Sequence, residues 1–536
     1  MESEDVIITA GADQETPSDP PPGLTRAHAF NLYLSHALST WNARGYEFAA
    51  ILFTAAAYPD TLVAAALRMI IIYIAMIVFS SFVGHWVERS PSRLRTLLST
   101  IYCNRASVIL GSFFWLLILS QENLLVGEGP AITPPRFALP RNDTLKGIIF
   151  VVAVAFGIIE RLSASANLIS MERDWVVTVA GPIGHPYDLT NLNAVMRRID
   201  LVCKLIAPIL ISIIISATGS IRIGVLYTGL TSFSSVPIEL LSARRVWNGS
   251  AALQTPKPLP SSGTEERVVD IRPRSNRLHH YFKGFEMYFS SPVWIPSFAL
   301  AMLHFNMLTW RATFITYLIN TGYSLNVITI ARAIGSILEI SSTVITPWGV
   351  VYLGKIGRPS VVPGEGPGTR LLYEEQWPEG STNETETVIG LQRLGLWGIS
   401  SQLINTVPVV LALWALSAQR DQPGAGWSVV LFSFLAFSRL GVWVYDLTTQ
   451  QLTQTLVDRT RRSSFAGVES SVVNVFEVLG AAAAIAFPRV EQYRWLALAS
   501  LASVLMSWCM YAWWVNSQRG HLVHWEKITP NFGGRR

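Results

Sequence analysis

A carboxylate or an imidazole inside an apolar segment is costly to bury, and it therefore marks a candidate functional site. Glu47 lies in the segment LSHALSTWNARGYEF, His304 lies in a later apolar run, and Glu477 lies in GVESSVVNVFEVLG. Oxygen and imidazole ligands suit first-row divalent metals. Glu47, His304 and Glu477 are therefore predicted to be metal ligands that face a path through a membrane.

Each of these residues also has a purely structural explanation. Arg44 lies three residues before Glu47, so the two side chains can pair on a helix. A single histidine in an apolar helix is more often a packing residue than a ligand, although His304 and Arg311 share a helix face at a spacing of seven. Glu477 has no basic residue nearby in the sequence, which predicts that it binds a cation or stays protonated. Both interpretations remain open for all three residues.

Charged residues also gather where apolar runs end, which is typical of joints between membrane helices. Glu88 and Arg93 lie in GHWVERSPSRLR, which resembles the loop motif that major facilitators place after their second helix. Arg439 and Asp446 lie seven residues apart in FSRLGVWVYDLTTQQLTQ, on one face of a helix. We predict that these four residues belong to a gate, a charge network that holds the helices in one of two arrangements.

The composition places most of the chain in lipid. Hydrophobic residues make up 50% of the 536 residues, charged residues make up 14%, and the mean hydropathy is +0.36. Soluble domains have roughly 25% charged residues. A bilayer core takes about 20 apolar residues per helix, and counting on that basis gives about twelve spans. The spans run at about 30–57, 60–86, 102–125, 146–171, 199–219, 222–243, 292–320, 325–353, 392–418, 426–453, 466–487 and 492–516.

The loops predict the topology. Arginine and lysine are concentrated after spans two, four, six and ten, with Arg89, Arg93, Arg95 and Arg105 after span two, and both termini are therefore predicted to be cytosolic. Two six-helix halves joined by a cytosolic linker form the layout of the major facilitator superfamily. The predicted parts are a tail at 1–29, an N-lobe at 30–247, a linker at 248–290, a C-lobe at 291–517 with a polar insert at 355–391, and a tail at 518–536.

Several other functional classes are not favoured. The three cysteines are far apart and have no CxxC spacing, so the sequence indicates neither a disulfide framework nor a sulfur-ligated zinc site. The net charge of +5 follows membrane topology and does not indicate a nucleic-acid surface. We expect no enzyme activity and no cofactor, and no targeting motif distinguishes the plasma membrane from an internal organelle. Asn142 begins a sequon in the one longer loop of the predicted outer side, where glycosylation is chemically possible.

Several stretches together resemble the ferroportins, which are iron exporters of the solute carrier 40 group within the major facilitator superfamily. The similar stretches are YLSHALSTW, RDWVVTVAG, NLNAVMRRID, RLGVWVYDLTTQQL and GVESSVVN, within about residues 30–515. The resemblance implies export of ferrous iron from the cytosol by alternating access. It also implies proton-coupled exchange in some members and transport of cobalt or nickel in plant members.

The resemblance further implies a cytosolic gate made of ion pairs. The residues at the matching positions are Asp174, Arg197, Arg198 and Asp200, with Asn193 nearby. Breaking a pair in such a network leaves a charge without a partner and should release the gate.

The candidate metal positions differ from the family pattern. Animal ferroportins use an Asp and a His in span one, where this chain has Ala43 and Glu47. They use a Cys in span seven and a His in span eleven, where it has Ala312 and Gly480. Because that Cys also anchors the peptide hormone that inhibits the animal proteins, hormone regulation is not expected here.

Two hypotheses follow. The first is a divalent-metal exporter with a carboxylate-rich site, broader metal tolerance and proton coupling through Glu47 or Glu477. The second is a transporter of an organic or anionic substrate that has lost its metal sites. Arg161 and Arg311 would favour the second if they face the cavity.

Overall fold

The computed structural model describes residues 24–58, 63–122, 143–257, 277–355, 379–418, 424–487 and 489–519, which are almost entirely helical. The long helices follow the apolar runs of the sequence because a helix satisfies its own backbone groups in lipid. They are α1 (Arg26–Ala57), α2 (Val63–Arg89), α3 (Arg93–Glu122), α4 (Asp143–Ser170), α5 (Leu189–Thr218), α6 (Ile221–Asn248), α7 in two pieces (Trp294–Met302 and Ala312–Asn320), α8 (Leu325–Lys355), α9 (Glu379–Ala418), α10 (Ala425–Leu456), α11 (Arg462–Ala486) and α12 (Tyr493–Arg519).

The twelve predicted runs each correspond to one of these helices. Within the described residues, nine helices are long and apolar enough to cross a membrane, and they are α2–α5 and α8–α12. The other three differ for physical reasons. The helices α1 and α6 are continuous but less apolar, because α1 contains polar side chains such as Asn42 and Arg44 and α6 contains Glu239. The helix α7 is broken.

The break in α7 was not predicted, because its sequence reads as one continuous apolar run. Leu303–Phe305 form a short 3₁₀ turn, and the helix resumes only at Ala312. Groups on α12 satisfy the exposed backbone. The Met307 N–H donates to the Ser500 hydroxyl at 2.9 Å, and the Tyr493 hydroxyl donates to the Met307 carbonyl at 2.8 Å. His304 and Arg311 therefore do not share one helix face, contrary to the prediction.

Each lobe has its own apolar core. In the N-lobe, one cluster surrounds Trp175 and a second surrounds Trp115. In the C-lobe, one cluster surrounds Tyr445 and a second surrounds Phe314. A smaller cluster joins the lobes, because Ala466 of α11 packs with Val87 of α2 and Ile169 of α4.

Arg105 is a buried core residue and not a loop residue, which corrects its assignment to the basic loop after span two. It lies inside α3 and donates to Glu239 of α6 at 2.7 Å. The exposed fraction of the two side chains is 2% and 0%. The pair ties α3 to α6 within the N-lobe.

The end of α4 places several charged residues near the C-lobe. A π-helical turn, Met171–Trp175, continues α4 and carries Arg173 and Asp174. Such turns are rare and occur frequently at functional sites. After a short loop, α5 begins at an Asp188 cap, where the carboxylate accepts from the Asn191 N–H at 2.8 Å.

A further helix, Arg277–Phe289, lies between the two lobes in the chain and contacts both of them. The Tyr281 ring stacks on Phe82 of α2 at 5.4 Å, and the Tyr288 ring stacks on Phe465 of α11 at 4.7 Å. Asn142 and residues 258–276 of the predicted linker lie outside the described residues.

Candidate functional site: a closed end and two charged clusters

The two lobes approach most closely where α2 crosses α11. A Cβ atom on Gly84 would lie 2.5 Å from the Ser463 carbonyl oxygen, and one on Gly467 would lie 2.6 Å from the Ser80 carbonyl oxygen. Only glycine permits backbone contact this close. We call this end of the molecule the charged end. It contains the ends of α2, α4 and α10 and the beginnings of α3, α5 and α11.

Glu88 connects the lobes at the charged end. Its Oε2 accepts from the backbone N–H groups of Ser463 at 2.8 Å and Ser464 at 3.1 Å. These groups open α11, where the helix dipole also favours a negative charge. A carboxylate of the N-lobe thus caps a helix of the C-lobe.

Arg173 forms a second connection, which the sequence analysis did not assign to the gate. It pairs with Glu469 of α11 at 2.7 Å. It also donates to the Gln450 carbonyl at 3.2 Å and to the Thr453 hydroxyl, both in α10. A single side chain of α4 thus contacts two helices of the other lobe.

The beginning of α5 forms a third set of connections. Arg197 pairs with Asp446 of α10 at 2.7 Å, and the Asn193 amide donates to Gln454 at 2.5 Å. Arg198 donates to the Thr343 hydroxyl of α8 at 3.0 Å. Three predicted gate residues therefore contact the opposite lobe.

Asp174 and Asp200 belong to different sets of charges. Asp174 pairs with Arg93 at 2.7 Å and with Lys257 at 2.7 Å, so its partners lie within the N-lobe and the segment after α6. Asp200 accepts from Arg44 of α1 at 2.8 Å and lies 3.8 Å from Arg197, which also pairs with Asp446. Asp200, Arg197 and Asp446 therefore form one connected set of charges across the lobes, and Asp174 lies outside it.

Arg439 and Asp446 also do not form one network along their shared face. Arg439 pairs with Glu339 of α8 at 2.7 Å, within the C-lobe, whereas Asp446 pairs with Arg197 of the N-lobe. The Trp443 ring lies between Arg439, Arg197 and Lys204, at 5.7, 5.5 and 5.1 Å from its centroid. This indole therefore sits among cations from both lobes.

Glu47 lies in a cluster of cations in the N-lobe. Arg44 donates to it at 3.3 Å and Arg161 of α4 donates at 3.4 Å. The charge of Lys204 also acts on this carboxylate. The exposed fraction of the Glu47 side chain is 46%. The pairing of Glu47 with Arg44, which the sequence left open, is present. Within the described residues, Glu47 is the exposed carboxylate of the cluster that it forms with Arg44, Arg161 and Lys204.

His304 and Glu477 meet in the C-lobe at the break in α7. The His304 Nδ1 and the Glu477 Oε1 are 3.0 Å apart, and Arg311 donates to the same oxygen at 2.6 Å. Glu477 therefore has two basic partners that sequence distance concealed, and the expectation of no positive partner was wrong. Gly480 of α11 lies against the same break, because a Cβ there would be 3.5 Å from the Phe305 carbonyl oxygen.

The two clusters lie on opposite lobes and both are partly open. The exposed fraction is 38% for His304 and 35% for Arg161. Tyr73 of α2 lies within electrostatic range of both clusters. The charges that act on its hydroxyl group are those of Glu477, Arg311, Glu47 and Arg161. Within the described part of the chain, no three His, Cys, Asp or Glu residues group closely enough to hold a metal ion.

Comparison with known proteins agrees with this architecture. The sequence pattern of the family described as Ferroportin1 (FPN1) matches residues 26–357 and 382–504. Solute carrier family 40 member 1 of Arabidopsis thaliana is 26% identical over 534 residues, covering 94% of this chain and 91% of the plant protein. Human ferroportin is 25% identical over 545 residues, covering 90% of each chain.

Solved structures show the same fold. A bacterial homologue of the iron transporter ferroportin in an outward-facing state has a TM-score of 0.68 at 19% identity, over 92% of this chain and 100% of that one. A proton:xylose symporter of the major facilitator superfamily has a TM-score of 0.51 at 11% identity, over 93% and 95% of the chains. The chain has the major facilitator fold of these structures. Because the family pattern matches most of its length, the chain belongs to the ferroportin family.

Proposed function

We propose that this protein moves ferrous iron or a related divalent cation out of the cytosol by alternating access. Membership of the ferroportin family supports metal transport. The charged end, with its excess of arginine and lysine, is the cytosolic side by the positive-inside rule. The contacts of Glu88, Arg173 and Arg197 with the C-lobe then close the cytosolic side, as an outward-facing state requires.

The observation that carries the metal proposal is the meeting of His304 and Glu477 at 3.0 Å. Imidazole nitrogen and carboxylate oxygen together suit a first-row metal. The break in α7 also leaves backbone carbonyls beside the pair, and transporters commonly place their sites at interrupted helices. A carboxylate in place of a thiolate makes the site harder and broadens its tolerance among divalent metals.

Arg311 keeps Glu477 neutralised while no metal is bound. Since both His304 and Arg311 contact the same oxygen, an arriving cation displaces Arg311 from Glu477. The metal requires neutral imidazole, so protons compete with it at His304. Metal binding at this pair should therefore weaken as the pH falls, and we propose that the proton released on binding couples transport to protons.

Vesicle transport tests the proposal. Purified protein in liposomes should move Fe²⁺ and Co²⁺, and Glu477→Gln and His304→Ala should each lower the rate at least about tenfold. Glu491→Gln removes an exposed carboxylate beyond the end of α11 and should leave transport unchanged. The transport rate of Glu47→Ala measures how much the N-lobe cluster contributes to metal transport. Full metal transport by Glu477→Gln would exclude this pair as the metal site.

The N-lobe cluster supports one second candidate, an anionic substrate. Arg44 contacts both Glu47 and Asp200, Arg161 contacts Glu47, and the charge of Lys204 acts on the same cluster, so three cations face two carboxylates there. A bare dication is repelled by such a cluster, whereas the carboxylate of an organic acid is attracted. Calorimetric binding of an organic acid without any binding of Co²⁺ would favour this candidate over metal export.

A further inference from the structure

A small polar cavity, partly open to solvent, lies at the charged end between the lobes, and we call it the gate cavity. Five basic side chains line it, from α3, from the turn after α4, from the segment after α6 and from the C-lobe: Arg93, Arg173, Lys257, Arg459 and Arg462. The acidic side chains that line it are Glu88 and Asp174. Because Glu469 also pairs with Arg173, the basic side chains exceed their acidic partners and neighbours by two.

Both acids of the gate cavity already have partners. Asp174 pairs with both Arg93 and Lys257, each at 2.7 Å. The Oε2 atom of Glu88 accepts from two backbone N–H groups at the beginning of α11. Among the described residues, neither carboxylate forms an ion pair with Arg459 or Arg462.

Arg459 and Arg462 lack a carboxylate partner within the described residues. The Arg462 Nε donates only to a backbone carbonyl, that of Val457, at 3.0 Å. The like charges of Arg459 and Arg173 act on Arg462 more strongly than the opposite charges of Asp458 and Glu88 do. An additional anion is therefore attracted to this group.

The loop that holds these arginines is ordered by its own hydrogen bonds. The Thr460 N–H donates to the Asp458 carboxylate at 3.0 Å, which lowers the pKa of that carboxyl group. The Arg461 N–H donates to the Asp458 carbonyl at 2.9 Å. Asp458 is thus tied to its own turn, and among the described residues it forms no ion pair with Arg459 or Arg462.

We propose that the gate cavity binds a phosphate group, and that the bound phosphate holds the two lobes together at the charged end. Guanidinium groups recognise phosphate by short, charge-assisted hydrogen bonds. Basic pockets between membrane helices on the cytosolic side accept phosphorylated lipid headgroups by the same chemistry. Inorganic phosphate and a phosphorylated headgroup are the two sources that fit.

Because residues of both lobes line the cavity, phosphate binding there should affect how the lobes are arranged. Arg173 comes from the N-lobe, whereas Arg459 and Arg462 come from the C-lobe. When the lobes separate at this end, these cations part and the site is lost. A ligand that binds only one state shifts the population toward it, so phosphate favours the closed charged end. This binding does not depend on which cargo crosses the membrane.

The test measures binding by the full-length protein with two probes. Inorganic phosphate is titrated into protein in phosphate-free detergent, and phosphatidylinositol 4-phosphate is offered in nanodiscs of phosphatidylcholine. The wild type should bind one probe saturably, and Arg459→Gln combined with Arg462→Gln should weaken that binding at least about tenfold. Arg244→Gln combined with Arg245→Gln removes the same charge from exposed positions near the end of α6 and should leave the affinity unchanged.

Hydrogen exchange tests the effect on the lobes. The bound probe should slow exchange of the amides at 457–465 in the wild type and in the Arg244/Arg245 control, but not in the Arg459/Arg462 variant. The proposal is overturned if neither probe binds, or if both double variants weaken binding equally, which would indicate an adventitious ion only. The probe that binds identifies the source of the phosphate.

Discussion

At the charged end, Arg173 and Arg197 pair across the two lobes, whereas the charges around Glu47 and Glu477 pair within one lobe. The pairs of Arg173 with Glu469 and of Arg197 with Asp446 exist only while the lobes touch. The pair of Glu477 with Arg311 can persist in every arrangement of the lobes. We propose that pairs of the first kind set the conformational state and that pairs of the second kind exchange with a cargo.

The largest expected effect is on the free energy of unfolding, when the buried pair of Arg105 with Glu239 in the N-lobe is broken. Glu239→Ala leaves Arg105 buried and unpaired, which typically costs about 3–5 kcal/mol. The free energy of unfolding should fall by that amount, as measured by thermal or denaturant melts. Hydrogen exchange at the charged end should not show selective opening. Selective opening there would contradict the separation of the two kinds of pair.

A cross-lobe pair should behave in the opposite way. Asp446→Asn removes the ion pair with Arg197 and leaves that partly buried guanidinium without this partner, which costs about 1–3 kcal/mol. Because that bond exists only in the closed arrangement, the equilibrium should shift toward an open charged end with little change in the melting temperature. Exchange of the α10 amides at 446–456 reports the shift. A lower melting temperature without faster local exchange would argue against it.

The close crossing of α2 and α11 should respond to a single methyl group. Gly467→Ala places a Cβ against the backbone of α2, and overpacking of this kind costs about 1–3 kcal/mol. The closed arrangement should be destabilised and metal transport slowed. Gly147→Ala is the matched control, since nothing lies within 4 Å of a Cβ there. Equal transport by the two variants would show that the crossing does not limit closure.

The smallest effect is expected at the N-lobe cluster. The pair of Arg161 with Glu47 is 3.4 Å long and partly exposed, and such pairs contribute about 0.2–1 kcal/mol. Arg161→Gln should leave stability unchanged and raise the affinity for Co²⁺ a few-fold if Glu47 ligates metal. A loss of organic-acid binding in the same variant would instead support the anionic substrate.

The sequence predicted the helices well, because apolar length determines what a bilayer accepts. It did not predict the break in α7, since the groups that satisfy the broken backbone, Ser500 and Tyr493, lie on α12. The sequence of α7 itself contains no residue pattern that indicates the break. A break supported by distant side chains is visible only in the packed structure.

The partners of the charged residues were equally hard to predict. Glu477 and Arg311 are 166 residues apart in the chain, and Arg197 and Asp446 are brought together only by packing of the lobes. Lys257 lies in a segment that reads as linker, yet it contacts Asp174. Residue type indicated which side chains need a partner, but the fold decides which partner each one finds.

Equilibrium binding of Co²⁺ to the purified protein tests the central distinction most directly. Isothermal titration of the wild type, Glu477→Gln and Asp446→Asn should show binding by the wild type and by Asp446→Asn, and at least about tenfold weaker binding by Glu477→Gln. Asp446→Asn should nevertheless transport more slowly in vesicles, because its charged end closes less often. Unchanged Co²⁺ binding by Glu477→Gln, or loss of binding by Asp446→Asn, would contradict the account.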